Sequence, residues 1–95
     1  MKYIKVKWTH NKEKIGDIPV WMYSELDDKN WEVRKVEEFF DGHLQYANLT
    51  TSISDTALSS GPIPSISEIN TDSSFLSEEI QKNDFEAIWK KAKNE

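Results

Sequence analysis

The sequence contains no cysteine, only two histidines and a single arginine. The absence of cysteine excludes disulfide bonds and thiolate chemistry, and it favours a reducing compartment. His10 and His43 are not spaced as a helical or strand pair, whereas a structural metal site usually needs three or four ligands at set spacings. We therefore expect no metal site and no cofactor, and we interpret both histidines as surface residues.

Motifs for catalysis are also missing. The three glycines lie far apart at positions 16, 42 and 61, so no glycine-rich phosphate loop is present. No Gly-x-Ser-x-Gly elbow occurs. The carboxylate pairs Asp27-Asp28, Glu37-Glu38 and Glu78-Glu79 are sequence neighbours, and neighbours on a strand point to opposite faces. We expect solvated surface charge at these positions, no catalytic residues and no enzymatic activity.

No hydrophobic run approaches the ~18 apolar residues that a membrane span requires. The first eight residues alternate lysine with apolar side chains, so they cannot serve as the hydrophobic region of a secretory signal. These two features predict a cytoplasmic protein that does not insert into membranes.

The charge is unevenly distributed. Residues 1–14 hold five lysines against Glu13, while the rest of the chain holds seven basic and sixteen acidic residues. A nucleic-acid-binding protein normally shows the reverse balance, because Lys and Arg make the phosphate contacts. The net charge of -5 therefore argues against direct binding of nucleic acid or anionic lipid and favours a basic protein partner.

The chain length of 95 residues corresponds to one domain, spanning 1–95. Alternating apolar positions predict strands over 2–9 and 18–26, with Pro19 at the start or on an edge. Asp27 to Asn30 form a turn cluster. Residues 31–40 and 43–48 flank Asp41-Gly42, which predicts a hairpin. A change of phase in its first arm predicts a β-bulge near Arg34-Lys35, leaving Phe39 on the outer face.

Residues 49–64 are rich in Ser, Thr, Gly and Pro and predict a flexible loop. Ser65 to Glu68 form a capping box that opens a short helical turn. Asn83 to Glu86 repeat this pattern before an apolar stripe at Phe85, Ile88, Trp89 and Ala92, which predicts a helix over about 84–93. The predicted fold class is α+β, with a strand-rich part over 2–48 and a helical part over 65–93. We expect a four-stranded antiparallel sheet with the C-terminal helical segments packed on one face.

Three of the four tryptophans lie on strands or helices whose faces the sequence pattern predicts. Trp8 and Trp89 lie on predicted core faces. Trp21 and Tyr23 share a parity opposite to that of Val20 and Met22, so either this strand is buried on both sides or the two rings are exposed. Exposed Trp and Tyr side chains often anchor protein interfaces.

Five stretches carry a resemblance to a known group of proteins, and together they extend over essentially the whole chain. They are Met1–Trp8, Leu26–Glu37, Phe40–Gly42, Pro64–Asn70 and Phe85–Trp89. On these stretches the chain resembles a family of short, uncharacterised bacterial proteins, similar to the small cytoplasmic proteins encoded beside polymorphic toxin genes.

The resemblance implies an immunity protein, of the kind found in contact-dependent growth inhibition systems. Such proteins bind the toxin domain of a sister cell's effector and block its action. Toxins of this class are often nucleases with basic surfaces, so an acidic inhibitor offers complementary charge. We therefore expect stoichiometric binding to a nuclease toxin, an RNase in particular.

Charge and strand parity provide the candidate toxin-binding residues. The charged side would comprise Asp27, Asp28, Glu32, Glu37, Glu38 and Asp41, with Trp21 and Tyr23 as anchors. The alternative is a small regulatory module with no toxin partner, which binds a peptide or small ligand through the 49–64 loop and an open sheet edge. The sequence does not indicate an oligomeric state.

Overall fold

The computed structural model describes residues 1–8, 19–50 and 56–94. These residues form five strands and two helices. In chain order the elements are β1 (Lys2–Trp8), β2 (Pro19–Leu26), β3 (Glu32–Phe39), β4 (Leu44–Asn48), α1 (Ile66–Ile69), β5 (Phe75–Ile80) and α2 (Lys82–Ala92).

The five strands form one antiparallel sheet in the order β4-β3-β2-β1-β5. The first four strands follow one another as a meander. β5 then returns to pair with the other side of β1, in a register that places Glu78 opposite Lys5. The first strand of the chain therefore lies inside the sheet.

The α+β class and the antiparallel sheet confirm the sequence prediction, but the expectation of four strands and of a helical part over 65–93 is wrong. The fifth strand, with the sequence FLSEEI, lies between the two helices. Half of its side chains are polar or charged, and they do not alternate regularly with the apolar ones, so its own pattern is a weak strand signal. Its conformation depends on pairing with β1, where Lys5 Nζ lies 3.0 Å from Glu78 Oε1.

The two helices pack on opposite faces of the sheet, which corrects the prediction of a single covered face. Phe85 and Trp89 of α2 pack with Tyr3 and Val36, and this confirms Trp89 as a core residue. Ile66 and Ile69 of α1 pack against the cluster that contains Ile4. Because Tyr3 and Ile4 are neighbours on β1, their side chains lie on opposite faces. We call these the α2 face and the α1 face.

The β3–β4 hairpin forms at the predicted position. Gly42 has a φ of +92°, and the Phe39 amide donates to the His43 carbonyl oxygen. Phe39 is buried at 6% exposure while Phe40 is 52% exposed, so the expectation that Phe39 faces outward is wrong. The Phe39 ring stacks on the His43 ring with centroids 4.4 Å apart.

A register shift at the start of β3 decides which side chains reach which face. Glu25 pairs with Arg34, but Leu26 pairs with Glu32, so Val33 is the extra residue of a bulge. It lies one position before the predicted bulge near Arg34-Lys35. The bulge places Glu32 on the α1 face and Arg34 on the α2 face, although residues two apart on a regular strand share a face.

The described residues of the predicted 49–64 loop contain no helix or strand, and residues 51–55 lie outside the description. Residues 56–64, which we call the strap, cross the α1 face. Thr56 is 1% exposed, and the amides of Ser59 and Ile63 donate to Glu32 Oε1 and the Asn30 carbonyl oxygen. This part of the loop is therefore held to the sheet.

Helix α2 begins two residues earlier than predicted. Gln81, rather than Asn83, is its N-cap, and the backbone amide of Gln81 donates to Asp84 Oδ2 at 3.1 Å. Lys90 and Lys91 lie in the last turn, where positive charge complements the helix dipole. The predicted apolar stripe is the face that α2 turns toward the sheet.

Candidate functional site

The eight predicted interface residues do not form one surface. Trp21, Tyr23 and Glu38 lie together on the α2 face, as their cross-strand pairing shows. The other five lie on the α1 face or in the turns at the two ends of β3; they are Glu32, Glu37, Asp27, Asp28 and Asp41. The site that the structure supports best is therefore the cluster around Trp21.

The Trp21 and Tyr23 rings stack with centroids 6.3 Å apart. Tyr23 packs against the apolar cluster beneath α2, whereas Trp21 lies outside that cluster and is half-buried. The ammonium groups of Lys5 and Lys7 lie 5.0 and 5.7 Å from the Trp21 centroid. Neither ring is exposed: Tyr23 joins the core, and Trp21 is half-buried beside it.

Glu38 lies beside these two rings and is hydrogen-bonded to one of them. The Tyr23 hydroxyl donates to Glu38 Oε1 at 3.2 Å. Burial of the ring, followed by the negative charge of Glu38, raises the pKa of Tyr23 to about 12. Tyr23 therefore remains neutral at physiological pH, and its hydroxyl holds the carboxylate beside the two rings. We call Trp21, Tyr23, Glu38, Lys5 and Lys7 the Trp21 patch.

Two predicted contact residues have structural partners on the α1 face. Glu32 is 4% exposed, and its carboxylate accepts hydrogen bonds from the Ser24 hydroxyl at 2.6 Å and the Ser59 amide at 2.8 Å. Glu37 Oε1 lies 2.5 Å from the Thr56 hydroxyl. Both carboxylates anchor the strap, so we leave them out of the candidate interface.

The turn residues are also engaged locally. Asp27 Oδ1 accepts from the amides of Lys29 and Trp31, which closes the β2–β3 turn. Asp41 accepts from both the backbone amide and the ring of His43, and these bonds lower its pKa. Asp28 and Asp41 are exposed at opposite ends of β3. Asp28 and Asp41 therefore cannot both belong to one compact contact with the Trp21 patch.

Sequence reasoning missed a partly buried ionic network beneath α2. Arg34 makes paired hydrogen bonds to Glu25, at 2.6 and 2.9 Å, and to Glu86, at 2.9 Å each. Its guanidinium lies 4.9 Å from the Phe85 centroid and 5.0 Å from the Trp89 centroid. Because it joins β2, β3 and α2, we interpret it as the attachment of α2 to the sheet. The only sequence signal for this network is that the chain contains a single arginine.

Much of the exposed acidic charge lies outside the predicted interface residues. Residues 68–84 contain five carboxylates, all exposed, and one lysine. The carboxylates are Glu68, Asp72, Glu78, Glu79 and Asp84. Since α1, β5 and the start of α2 bring them to one side of the molecule, the exposed negative charge concentrates along β5 rather than along β3.

The described residues hold no group of three or more His, Asp or Glu side chains placed to bind a metal ion. In the same part of the chain, no helix is long and apolar enough to cross a lipid bilayer. His43 is partly exposed beside Asp41, and His10 lies outside the described residues.

Comparison with known proteins identifies a family but no activity. A domain of unknown function, DUF6881, matches residues 2–94, so the chain belongs to this family. Neither the curated proteins nor the solved structures contain a match to the chain.

Proposed function

We propose that this member of the DUF6881 family is an immunity protein that neutralises a toxin domain by stoichiometric binding. The observation that carries the proposal is the Trp21 patch, in which a half-buried tryptophan extends from the sheet beyond the cluster that α2 covers. The resemblance of the whole chain to small proteins encoded beside toxin genes supplies the class of partner.

The patch has the chemistry of an interface anchor. Tryptophan and tyrosine contribute large rigid contact areas, and they dominate the binding energy of many protein complexes. Stacking on Tyr23 and the two lysines beside the indole hold Trp21 in place. An anchor that is already ordered loses little conformational entropy on binding.

The overall charge favours a basic partner. A net charge of -5 and the exposed carboxylates along β5 would attract a protein whose own surface binds phosphate. A nuclease toxin, and an RNase in particular, has such a surface. We propose that the protein acts in the cytoplasm, without a cofactor and without catalysis of its own.

Co-expression tests the proposal directly. The C-terminal fragment of the neighbouring gene's product is expressed with and without this protein, growth is recorded, and the complex is isolated with a tag on the toxin fragment. We expect restored growth and a one-to-one complex. A fragment that stays toxic and elutes alone would contradict the proposal and favour a regulatory module.

The Trp21 patch is tested with a matched pair of tryptophan variants. Trp21→Ala should weaken toxin binding at least about tenfold, which corresponds to the loss of one moderate hot spot. Trp31→Ala removes a tryptophan that is 41% exposed in the β2–β3 turn, away from the patch, and should leave binding unchanged. Equal effects of the two variants would place the interface elsewhere.

A further inference from the structure

A second surface lies on the α1 face, where α1 and the strap meet β1 and β5. It is a groove of about 610 Å³. Its floor and walls are apolar, formed by Val6, Ile63, Pro64, Ile69 and Phe75. Ile63, Ile69 and Phe75 also pack against the core cluster that contains Ile4, so the groove is backed by ordered side chains.

Two carboxylates line the rim of this groove. Glu68 Oε1 accepts from the Ser65 hydroxyl, and Asp72 Oδ1 accepts from the Ser74 amide. No described lysine or arginine lines the groove, and both carboxylates belong to the acidic side along β5. An apolar cavity with a negative rim is complementary to an apolar side chain flanked by positive charge.

The neighbouring edge of β5 limits how a partner can bind. Asn70 occupies the backbone positions that an added strand would use, since its side chain accepts from the Ser77 amide at 2.7 Å and donates to the Ser77 carbonyl oxygen at 3.2 Å. The Phe75 amide is already bonded to the Asp72 carbonyl oxygen. Addition of a strand here would have to break these bonds.

We propose that this groove docks a basic segment of a protein partner, which inserts an apolar side chain flanked by lysine or arginine. Recognition is by side-chain insertion rather than by strand addition. The inference does not depend on the partner being a toxin, and the groove lies on the face opposite to the Trp21 patch.

Fluorescence anisotropy with short labelled peptides tests this docking. The probe carries leucines flanked by lysines; in one matched peptide the lysines are glutamates, and in another the leucines are serines. We expect the intact protein to bind only the first peptide, and to bind it more weakly as salt is added. No binding of the lysine–leucine peptide, or equal binding of all three, would overturn the proposal.

Protein variants locate the binding. Ile69→Glu should weaken binding of the lysine–leucine peptide at least about tenfold. The milder double variant Glu68→Gln/Asp72→Asn should also weaken binding of this peptide and should reduce the salt dependence of that binding. Leu76→Glu is the control, because Leu76 is 61% exposed and lies on the α2 face opposite Lys7. Unchanged binding by the Glu68→Gln/Asp72→Asn protein, which retains the apolar packing, would overturn the proposal, as would an equal loss with Leu76→Glu.

Discussion

At the scale of single residues, Arg34 has the largest structural role. Its guanidinium satisfies Glu25, which is 7% exposed, and also binds Glu86 on α2. A buried carboxylate without its partner is costly, because the charge has lost water without gaining a counterion. Within this network, Arg34 therefore matters most to Glu25, the more deeply buried of its two carboxylate partners.

Removing Arg34 should destabilise the protein strongly. Arg34→Ala leaves Glu25 buried without a counterion, although its hydrogen bond with Tyr3 remains, and we expect the free energy of unfolding to fall by about 3 kcal/mol, measured by urea denaturation. Glu86→Gln is the control, since the Glu86 side chain is 33% exposed and its pairing is partly screened by water. We expect it to cost less than about 1 kcal/mol. Equal costs for both variants would contradict this interpretation.

The same network predicts a pH dependence. Hydrogen bonds from Arg34 hold the pKa of Glu25 and of Glu86 below the ordinary value of 4.5. A carboxyl whose pKa is lower in the folded state stabilises that state above the unfolded pKa, and this stabilisation is lost as pH falls. The free energy of unfolding should therefore decrease below about pH 4.5.

The variant Arg34→Met isolates this contribution. Without the guanidinium, burial and the negative charge of Glu86 raise the pKa of Glu25, and only the hydrogen bond from Tyr3 still lowers it, so the ionised carboxylate should stabilise the folded state less. Urea denaturation over a series of acidic pH values should show a weaker loss of stability in Arg34→Met than in the wild-type protein. Parallel curves would show that other carboxyl groups cause the acid sensitivity.

At the scale of elements, the hairpin turn and the strap contain a matched pair of glycines. Gly42 has a φ of +92°, which side chains rarely adopt, whereas a Cβ on either Gly42 or Gly61 would meet no atom within 4 Å. We expect Gly42→Ala to lower the free energy of unfolding by about 1 kcal/mol through backbone strain. Gly61→Ala should be neutral or stabilising, because it restricts only the unfolded chain. Chemical denaturation of both variants checks this.

The β5 edge gives another prediction at this scale. Asn70→Ala removes two bonds to the Ser77 backbone, which we expect to cost about 1–2 kcal/mol and to expose unpaired strand groups. Association should increase with protein concentration, as measured by light scattering. Ser67→Ala is the control, because Ser67 is an exposed residue of α1. A monomeric Asn70→Ala protein with wild-type stability would show that Asn70 does not protect this edge.

The elements that the sequence predicted well are those with local signals. Gly42 and its flanking alternation locate the hairpin, and the apolar stripe of α2 fixes the helix face. Strand β5 was missed because its sequence has few β-branched or aromatic residues, and its pairing partner lies about seventy residues earlier. The bulge at Val33 places Glu32 on the same face as Glu37 and opposite to Glu38, so the predicted interface residues divide between the two faces and the turns.

At the scale of the whole molecule, the net charge of -5 should control the rate of association. Stopped-flow or surface-binding measurements with the proposed toxin fragment should show an association rate that falls as ionic strength rises. Trp21→Ala should change mainly the dissociation rate, because a neutral anchor contributes after encounter. An association rate that is indifferent to salt would remove the electrostatic part of the proposal.

The sequence by itself determined the α+β class, the β3–β4 hairpin, the face of α2 and the excess of negative charge. These properties depend on residue type and on the spacing of residues a few positions apart, so they do not require knowledge of which distant segments are in contact. Only the tertiary structure decided that β5 completes the sheet, that the helices lie on opposite faces, and that Glu32 and Glu37 hold the strap while Glu68 and Asp72 border a groove. Those outcomes depend on which distant segments pair, and the bulge at Val33 adds to them by placing Glu32 on the same face as Glu37.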